Sequence, residues 1–159
     1  VGLVYCSAEP NSDYQVQTVK GYLEEMGYTC TEYAFSDSND LSAVVTTACA
    51  ESDVLYIPTD NTAATNAELI GNIAVPAGVP IIAGEEGICS GCGVATLTIS
   101  YYDLGCQTAE MAYEILVNGA DPATMEIAYA PNFTPKYNAA NCEALGLTPP
   151  EGYEAIAAE

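Results

Sequence analysis

Small polar and acidic side chains follow three apolar runs of the sequence, at the point where each run ends. Hydroxyls, amides and carboxylates gathered in one place can hold a small zwitterion, because amides and helix N-termini bind a carboxylate while Asp or Glu binds an ammonium group. Each of these side chains, taken alone, could equally cap a helix. The three groups together favour binding, and the predicted ligand-binding residues are Ser7, Asn11, Ser12, Thr59, Asp60, Asn61, Glu85 and Glu86.

The same side chains offer little for catalysis. Glu85 and Glu86 could form a general acid/base pair, but adjacent carboxylates in a loop more often point apart. The sequence has no histidine, which removes the commonest general base and metal ligand. No nucleophile stands beside a base, so we predict no catalytic residue and a protein that is not an enzyme.

Cys89 and Cys92 form a C-x-x-C pair, which could be a redox pair or half of a zinc site. The pair lies in a Gly-rich connection before a predicted strand, whereas redox pairs usually open a helix. Zinc would need two further ligands. We therefore predict a local disulfide or two free loop thiols, with no metal and no cofactor. Four other cysteines fall in strand or helix patterns and are expected to be buried free thiols: Cys6, Cys30, Cys49 and Cys106.

Strands and helices alternate along the chain with short loops between them. The predicted strands are Val1–Tyr5, Thr29–Phe35, Asp53–Pro58, Val79–Ala83, Ala95–Ser100 and Met125–Ala130. Helical spacing predicts helices that end at Gly27, at Ala50, before Pro76 and at Gly119, with Ser38 or Asn39 as the cap of the second. Such alternation is typical of an α/β fold with a doubly wound parallel sheet.

In a sheet of this kind, ligands bind beyond the carboxyl ends of the strands. The three polar groups all follow strands, so they are expected at one edge of the sheet. Residues 1–130 are predicted to form one α/β lobe. Residues 131–159 hold four of the nine prolines and one short helix near Asn138–Leu145, and they look like a tail that has no partner to pack on.

The charge of the chain limits its partners. Two basic residues, Lys20 and Lys136, stand against 22 acidic ones, which gives a formal net charge of −20. Nucleic acid is excluded as a partner, because binding it requires neutralising phosphates with Lys or Arg. No apolar run approaches the roughly 20 residues that span a bilayer.

Two other acidic α/β modules deserve comparison. The loop from Ser7 to Ser12 could be the phosphate loop of a flavodoxin-like electron carrier that binds FMN, although Glu9 and Pro10 suit a phosphate poorly. A response-regulator receiver needs a Lys after a late strand, and no Lys occurs between Lys20 and Lys136. The flavodoxin-like carrier therefore remains the main alternative.

Four segments of the sequence resemble one family. They are Val1-Gly2-Leu3-Val4-Tyr5-Cys6-Ser7-Ala8-Glu9-Pro10-Asn11-Ser12, Tyr56-Ile57-Pro58-Thr59-Asp60-Asn61-Thr62, Gly84-Glu85-Glu86-Gly87 and Tyr101-Tyr102-Asp103-Leu104-Gly105. In order and spacing they are similar to ABC-transporter substrate-binding proteins of the tryptophan- and tyrosine-uptake type. The resemblance runs from Val1 to about Leu147, and Cys89 and Cys92 depart from the family's usual residues.

The resemblance implies a type I periplasmic binding protein, in which two α/β lobes on a hinge close on a ligand. By that comparison this chain matches the C-terminal, Rossmann-like lobe, and the tail would pack toward a missing N-terminal lobe. The implied protein is an extracytoplasmic lipoprotein or periplasmic protein that delivers an amino acid, aromatic by analogy with this family, to an ABC permease. The effector domain of a transcription regulator shares this lobe architecture and is a third alternative.

Overall fold

The computed structural model describes residues 1–157 and forms one sheet with helices on its faces. Its strands are β1 Gly2–Cys6, β2 Thr31–Phe35, β3 Leu55–Ile57, β4 Ile81–Ala83, β5 Ala95–Ile99, β6 Phe133–Tyr137 and β7 Glu154–Ala155. The order across the sheet is β2-β1-β3-β4-β5-β6-β7. Neighbours from β2 to β5 are parallel, while β6 is antiparallel to β5. The predicted α/β class with a mostly parallel, doubly wound sheet is confirmed.

Seven helices connect these strands within the described range. They are α1 Pro10–Glu25, α2 Ser38–Glu51, α3 Asn61–Thr65, α4 Ala67–Ala74, α5 Glu86–Gly91, α6 Tyr101–Leu116 and α7 Ala139–Ala144. The predicted ends at Gly27 and Gly119 are confirmed, since both glycines have the positive φ that follows a helix, 90° and 74°. The predicted cap of α2 is wrong: Asp37 is the cap, in a reciprocal capping box with Asp40.

The hydrophobic core lies on both faces of the sheet, but it is larger on one face than on the other. On one face α2, α4 and α5 pack over the strands, around buried residues that include Phe35, Leu41 and Ile70. On the other face α1 packs, where Val16 meets Leu3 and Tyr5 of β1. The successive register pairs place Tyr56, Ile82, Ala95 and Leu97 on that second face, where Tyr56 packs against the α1 cluster and Ala95 is buried beside Cys142. Between them Ile82 is 41% and Leu97 57% exposed, so part of this face on β4 and β5 is not covered by residues 1–157.

The end of the chain differs from the sequence prediction. The predicted strand Met125–Ala130 is wrong, because the strand is Phe133–Tyr137 and it pairs with all five residues of β5. Pro135 argued against a strand there, but β7 pairs only with Lys136 and Tyr137 and so requires no N–H from Pro135. Residues 131–157 therefore have partners within this chain, and whether they also contact another lobe stays a prediction.

The C-x-x-C pair is also placed differently. Cys89 lies within α5 and Cys92 caps its end, so the predicted Gly-rich loop is a short helix. Both thiols are free and buried, so of the two predicted alternatives the free thiols are confirmed and the disulfide is not, although the thiols lie on a helix and not in a loop. Burial raises the pKa of each thiol to about 12, so both stay protonated and unreactive near neutral pH. Of the four cysteines expected to be buried, Cys6 is buried, Cys30 and Cys49 are half-buried, and Cys106 is exposed.

Residues 100–132, called the arm here, leave the sheet and return to the same point of it. The arm begins after Ile99 and ends before Phe133, and these two residues are paired across β5 and β6. It contains α6, none of whose residues is buried. On this helix Thr108 and Leu116 are exposed, while Leu104, Met111 and Ile115 are half-buried.

Within residues 1–157, none of the helices combines the length and the hydropathy needed to cross a bilayer.

Candidate functional site

The loops that follow β1 and β3 meet at the carboxyl edge of the sheet. Asn11 Nδ2 donates to the carbonyl oxygen of Thr59 at 2.9 Å, and the buried Ser12 Oγ lies 3.4 Å from the same oxygen. Gln15 completes the junction by accepting a hydrogen bond from Thr59 N at 3.1 Å. The carboxamide and hydroxyl of the first helical turn of α1 therefore hold the β3 loop in place.

Asp60 joins the same two loops from inside. Its side chain is 1% exposed and accepts hydrogen bonds of 2.8 Å from the backbone N–H of Cys6 and of Ala63. The bond to Ala63 makes Asp60 the cap of α3. Both carboxylate oxygens thus satisfy buried backbone donors, and this residue organises the edge rather than facing solvent.

Glu9 is the main contact at the edge that the sequence reasoning missed. Its carboxylate accepts four hydrogen bonds: from Asn61 N at 3.0 Å, Asn61 Nδ2 at 2.8 Å, Thr62 N at 3.0 Å and Thr62 Oγ1 at 2.9 Å. Burial opposes its charge, but these four donors outweigh burial and hold the pKa of Glu9 below its ordinary value. Glu9 therefore occupies the first turn of α3 with a carboxylate from this chain itself.

The loop after β4 lies directly beside the β3 loop. Thr59 Oγ1 donates to the carbonyl oxygen of Gly84 at 3.3 Å. A Cβ on Gly84 would lie 2.5 Å from Thr59 N, so only glycine allows this approach. Glu85 caps α5 by accepting from the backbone N–H groups of Gly87 and Ile88.

Glu86 is already paired in the described chain. Lys136 of β6 approaches its carboxylate at 2.7 Å. The other lysine, Lys20, pairs with Glu32 at 2.7 Å. Both lysines of the sequence are therefore engaged, and the edge offers amides, hydroxyls and carboxylates to a ligand.

The structure brings most of the predicted site together. The loops that carry Asn11, Thr59, Asn61 and Glu85 are adjacent at one edge, as expected for parallel strands. Ser7 lies toward β2, where its hydroxyl donates to the carbonyl oxygen of Phe35 at 3.1 Å. Most of the predicted side chains make internal hydrogen bonds, which is consistent with the capping role left open for each of them. Ligand contact by these eight residues stays a prediction.

Exposure separates the predicted residues further. The side chains of Ser7, Asn11 and Asn61 are exposed, Thr59 and the two glutamates are half-buried, and Ser12 and Asp60 are buried. The exposed and half-buried members can reach a solute at the edge. The two buried members act through the loops that they hold.

An aromatic ring borders this edge at the start of the arm. Tyr101 is 57% exposed and follows β5, the strand beside β4. Burial of its hydroxyl and the nearby negative charge of Glu85 raise the pKa of Tyr101. Among the described residues no group of three or more His, Cys, Asp and Glu side chains is arranged to hold a metal ion.

Comparisons with known proteins agree on one family. A family model described as ABC transporter substrate binding protein matches residues 1–159. A curated relative, the tyrosine-binding protein of Clostridioides difficile strain R20291, is 33% identical over 116 residues, which cover 73% of this chain and 34% of the relative.

Solved structures give the same picture. The ligand-free, open form of a Clostridium difficile substrate-binding protein with adhesive properties has a TM-score of 0.77 and 31% identity, covering 99% of this chain and 54% of that one. An ABC domain from Streptococcus pneumonia in complex with L-Trp has a TM-score of 0.88 and 28% identity, covering 98% and 55%. A conserved domain protein from Vibrio cholerae has a TM-score of 0.88 and 26% identity, covering 97% and 53%. This chain thus spans about half the length of these structures and a third of the curated relative.

Proposed function

The chain belongs to the ABC transporter substrate-binding protein family, and we propose that it forms one wall of a cleft that binds an amino acid for an ABC importer. The observation that carries the proposal is the meeting of the β1, β3 and β4 loops at one edge of the sheet. Family membership also means that the flavodoxin-like alternative is wrong. The proposed activity is binding, as in the relatives, and not catalysis.

The chemistry of this wall suits the ammonium end of an amino acid. Glu85 and Glu86 both lie at the edge, but Lys136 neutralises Glu86, so the carboxylate without a cationic partner is that of Glu85, which also caps α5. The first turn of α3 is filled by the carboxylate of Glu9, so it is not open to the carboxylate of a ligand. We therefore assign the ammonium group to this wall and most contacts with the ligand carboxylate to a second wall.

Two relatives support an aromatic amino acid. One is named for binding tyrosine and another was solved with L-Trp. In this chain Tyr101 offers an aromatic ring beside Glu85, and an aromatic side chain can stack on such a ring. We propose tyrosine, tryptophan or phenylalanine as the ligand.

The second wall would come from a second lobe of the same protein. This chain spans 53–55% of the solved structures that it matches, which leaves room for another lobe of similar size. Closure of two lobes buries the ligand, and the closed form is what a membrane permease would recognise. We propose an extracytoplasmic location, either as a lipoprotein or free in the periplasm.

The proposal is tested by thermal-shift measurements on the two-lobed protein against the twenty amino acids and FMN. A ligand at one hundred times its dissociation constant should stabilise the protein by about 2.7 kcal/mol. A shift with tyrosine, tryptophan or phenylalanine supports the proposal. A shift with FMN alone, or no shift with any amino acid, contradicts it.

A pair of variants tests the position of the site. Asn61→Ala removes an exposed amide at the edge, and with it one hydrogen bond to Glu9, but keeps the backbone bond of residue 61 to Glu9. Asn72→Ala makes the same change on α4, away from the loops. Asn61→Ala should weaken amino-acid binding by about ten-fold, as expected for the loss of one hydrogen bond worth roughly 1.4 kcal/mol. Equal affinities of the two variants would contradict the assigned edge.

A further inference from the structure

The ion pair between Lys136 and Glu86 brings a positive charge to the acidic loops of the candidate edge. Lys136 Nζ donates to both carboxylate oxygens of Glu86, each at 2.7 Å. The two side chains are 26% and 37% exposed, so water screens this pair only in part. The other lysine of the chain, Lys20 on α1, is held by Glu32 of β2 and does not reach the β4 loop.

Lys136 approaches the β4 loop from within the sheet. It lies on β6 opposite Thr96 of β5, and Thr96 pairs in turn with Ala83, the last residue of β4. Glu86 is the first residue of α5 and follows Ala83 by three positions. The register of three strands therefore fixes where the ammonium group stands relative to the loop.

The pair leaves one of the two adjacent carboxylates without a cation. Glu85 caps α5 through backbone N–H groups and has no lysine beside it, whereas Glu86 is neutralised by Lys136. Burial raises the pKa of the Tyr101 hydroxyl and the negative charge of Glu85 raises it further, so the field of Glu85 reaches the aromatic ring at this edge. The β4 loop thus presents one net negative charge and not two.

This net charge matters because the chain as a whole is strongly acidic. A formal net charge of −20 attracts every cation toward the surface. A zwitterion gains little from such a field, since its two charges oppose each other, whereas a ligand with a net positive charge gains from each unpaired carboxylate. A second unpaired carboxylate beside Glu85 would therefore favour cations over amino acids.

We propose that Lys136 determines the charge specificity of this wall: by pairing with Glu86 it leaves one negative charge for one ammonium group, and the site selects amino acids without net charge over cationic ligands. This inference rests on the proposed function of the edge and adds a residue that sets its specificity. Lys136 acts through Glu86 and need not touch the ligand.

The test compares aromatic amino acids with their amides in the two-lobed protein. Tyrosine, tryptophan and phenylalanine are zwitterions, whereas at about pH 6 their amides carry the ammonium charge alone. In Lys136→Met a second carboxylate is unpaired, and the affinity for the amide relative to the amino acid should rise about three-fold in titration calorimetry. In Glu86→Gln the lysine is unpaired, and the same ratio should fall about three-fold. The double variant lacks both charges and should return the ratio to the wild-type value.

Two further variants separate charge from structure. Lys20→Met removes the same charge and the same kind of pair away from the edge, so it should leave the ratio unchanged. Lys136→Arg keeps the charge and should keep the wild-type ratio. If Lys136 serves the fold alone, Lys136→Met weakens both ligands equally and the ratio does not move. That result, or a double variant that fails to restore the ratio, overturns the inference.

The outcomes also distinguish this inference from the proposed function. A protein that binds an aromatic amino acid with the same ratio in every variant overturns the role of Lys136 and leaves the function. A wild-type protein that binds neither the amino acids nor their amides contradicts the function and the inference with it. A ratio that moves equally in Lys20→Met and Lys136→Met assigns the effect to the overall charge of the chain and overturns the inference.

Discussion

Glu9→Gln is the sharpest test of how the candidate edge is held together. The Glu9 carboxylate accepts four hydrogen bonds from the backbone and side chains of Asn61 and Thr62. Glutamine keeps the shape of the side chain but has one acceptor oxygen, and its amide nitrogen would face two donors. It also removes the negative charge beside the first turn of α3.

The magnitude follows from these contacts. The Glu9 side chain is half-buried, so water competes for its hydrogen bonds and each is worth about 0.5–1 kcal/mol net. Loss of two of the four bonds should therefore lower the free energy of unfolding by about 1–2 kcal/mol. For a chain of this size that corresponds to a fall in melting temperature of about 3–6 °C.

The effect should also depend on pH. The folded pKa of Glu9 is lowered from 4.5, so its ionised form stabilises the fold above that value and the stabilisation is lost as the pH falls through the folded pKa. Thermal melts followed by circular dichroism should show the full difference between wild type and Glu9→Gln at pH 7. The difference should shrink in acid, below the ordinary pKa of 4.5.

Glu25→Gln is the control, since Glu25 is exposed at the end of α1. It should change the free energy of unfolding by no more than about 0.5 kcal/mol. The reasoning is refuted if Glu9→Gln melts within a degree of wild type at pH 7, or if the difference is the same in acid as at neutral pH.

Three further results are expected. Gly84→Ala should lower the free energy of unfolding by about 1–3 kcal/mol in denaturant titrations, because its Cβ would meet the β3-loop backbone at 2.5 Å. Gly21→Ala is the control: it has open space around it and should raise the free energy of unfolding by about 0.5–1 kcal/mol. An unchanged midpoint for Gly84→Ala would contradict the close approach. Cys89 and Cys92 should resist a thiol reagent at pH 8 in the folded protein and react after denaturation, because their pKa is raised to about 12. Fast labelling of either in the native state would argue against their burial. Lys136→Met removes the ion pair with Glu86 and should lower the free energy of unfolding at low salt by less than about 1 kcal/mol, measured as a fall in melting temperature. If the melting temperature falls by the same amount at high salt, the ion pair is not the cause.

The sequence predicts the sheet well where the strands are buried on both faces. Continuous apolar runs such as Val54–Ile57 have no other interpretation when they are followed by a polar turn and a helical pattern. Their order also places the β1, β3 and β4 loops at one edge, which the contact between Asn11 and Thr59 bears out. Fold class and the meeting of these loops are therefore accessible from the sequence.

The strand Phe133–Tyr137 could not be predicted from the sequence in the same way. Met125–Ala130 has the composition of a strand, but no described strand pairs with it. Phe133–Tyr137 contains a proline and a lysine, and it becomes a strand because β5 offers a free edge along its whole length. Pairing with a distant segment decided the outcome, and local composition does not carry that information.

The roles within the site were the hardest to predict. Asp60 and Glu85 have the side chains of ligand-binding residues, yet both cap helices in the structure. Glu9 was judged only as a poor neighbour for a phosphate, although its carboxylate makes the largest set of contacts at the edge. The number of backbone donors that need a partner depends on how two loops meet, and only the folded chain shows this.

The arm begins and ends at neighbouring positions of the sheet, and this affects how the sequence can change in evolution. Since Ile99 and Phe133 are paired, β5 and β6 would remain neighbours however long or short the connection between them became. Residues 100–132 are thus free to diverge, grow or be exchanged by recombination with little effect on the sheet. Pairing within the sheet constrains the strands and their loops, whereas the sequence of the arm is constrained by what the arm itself contacts.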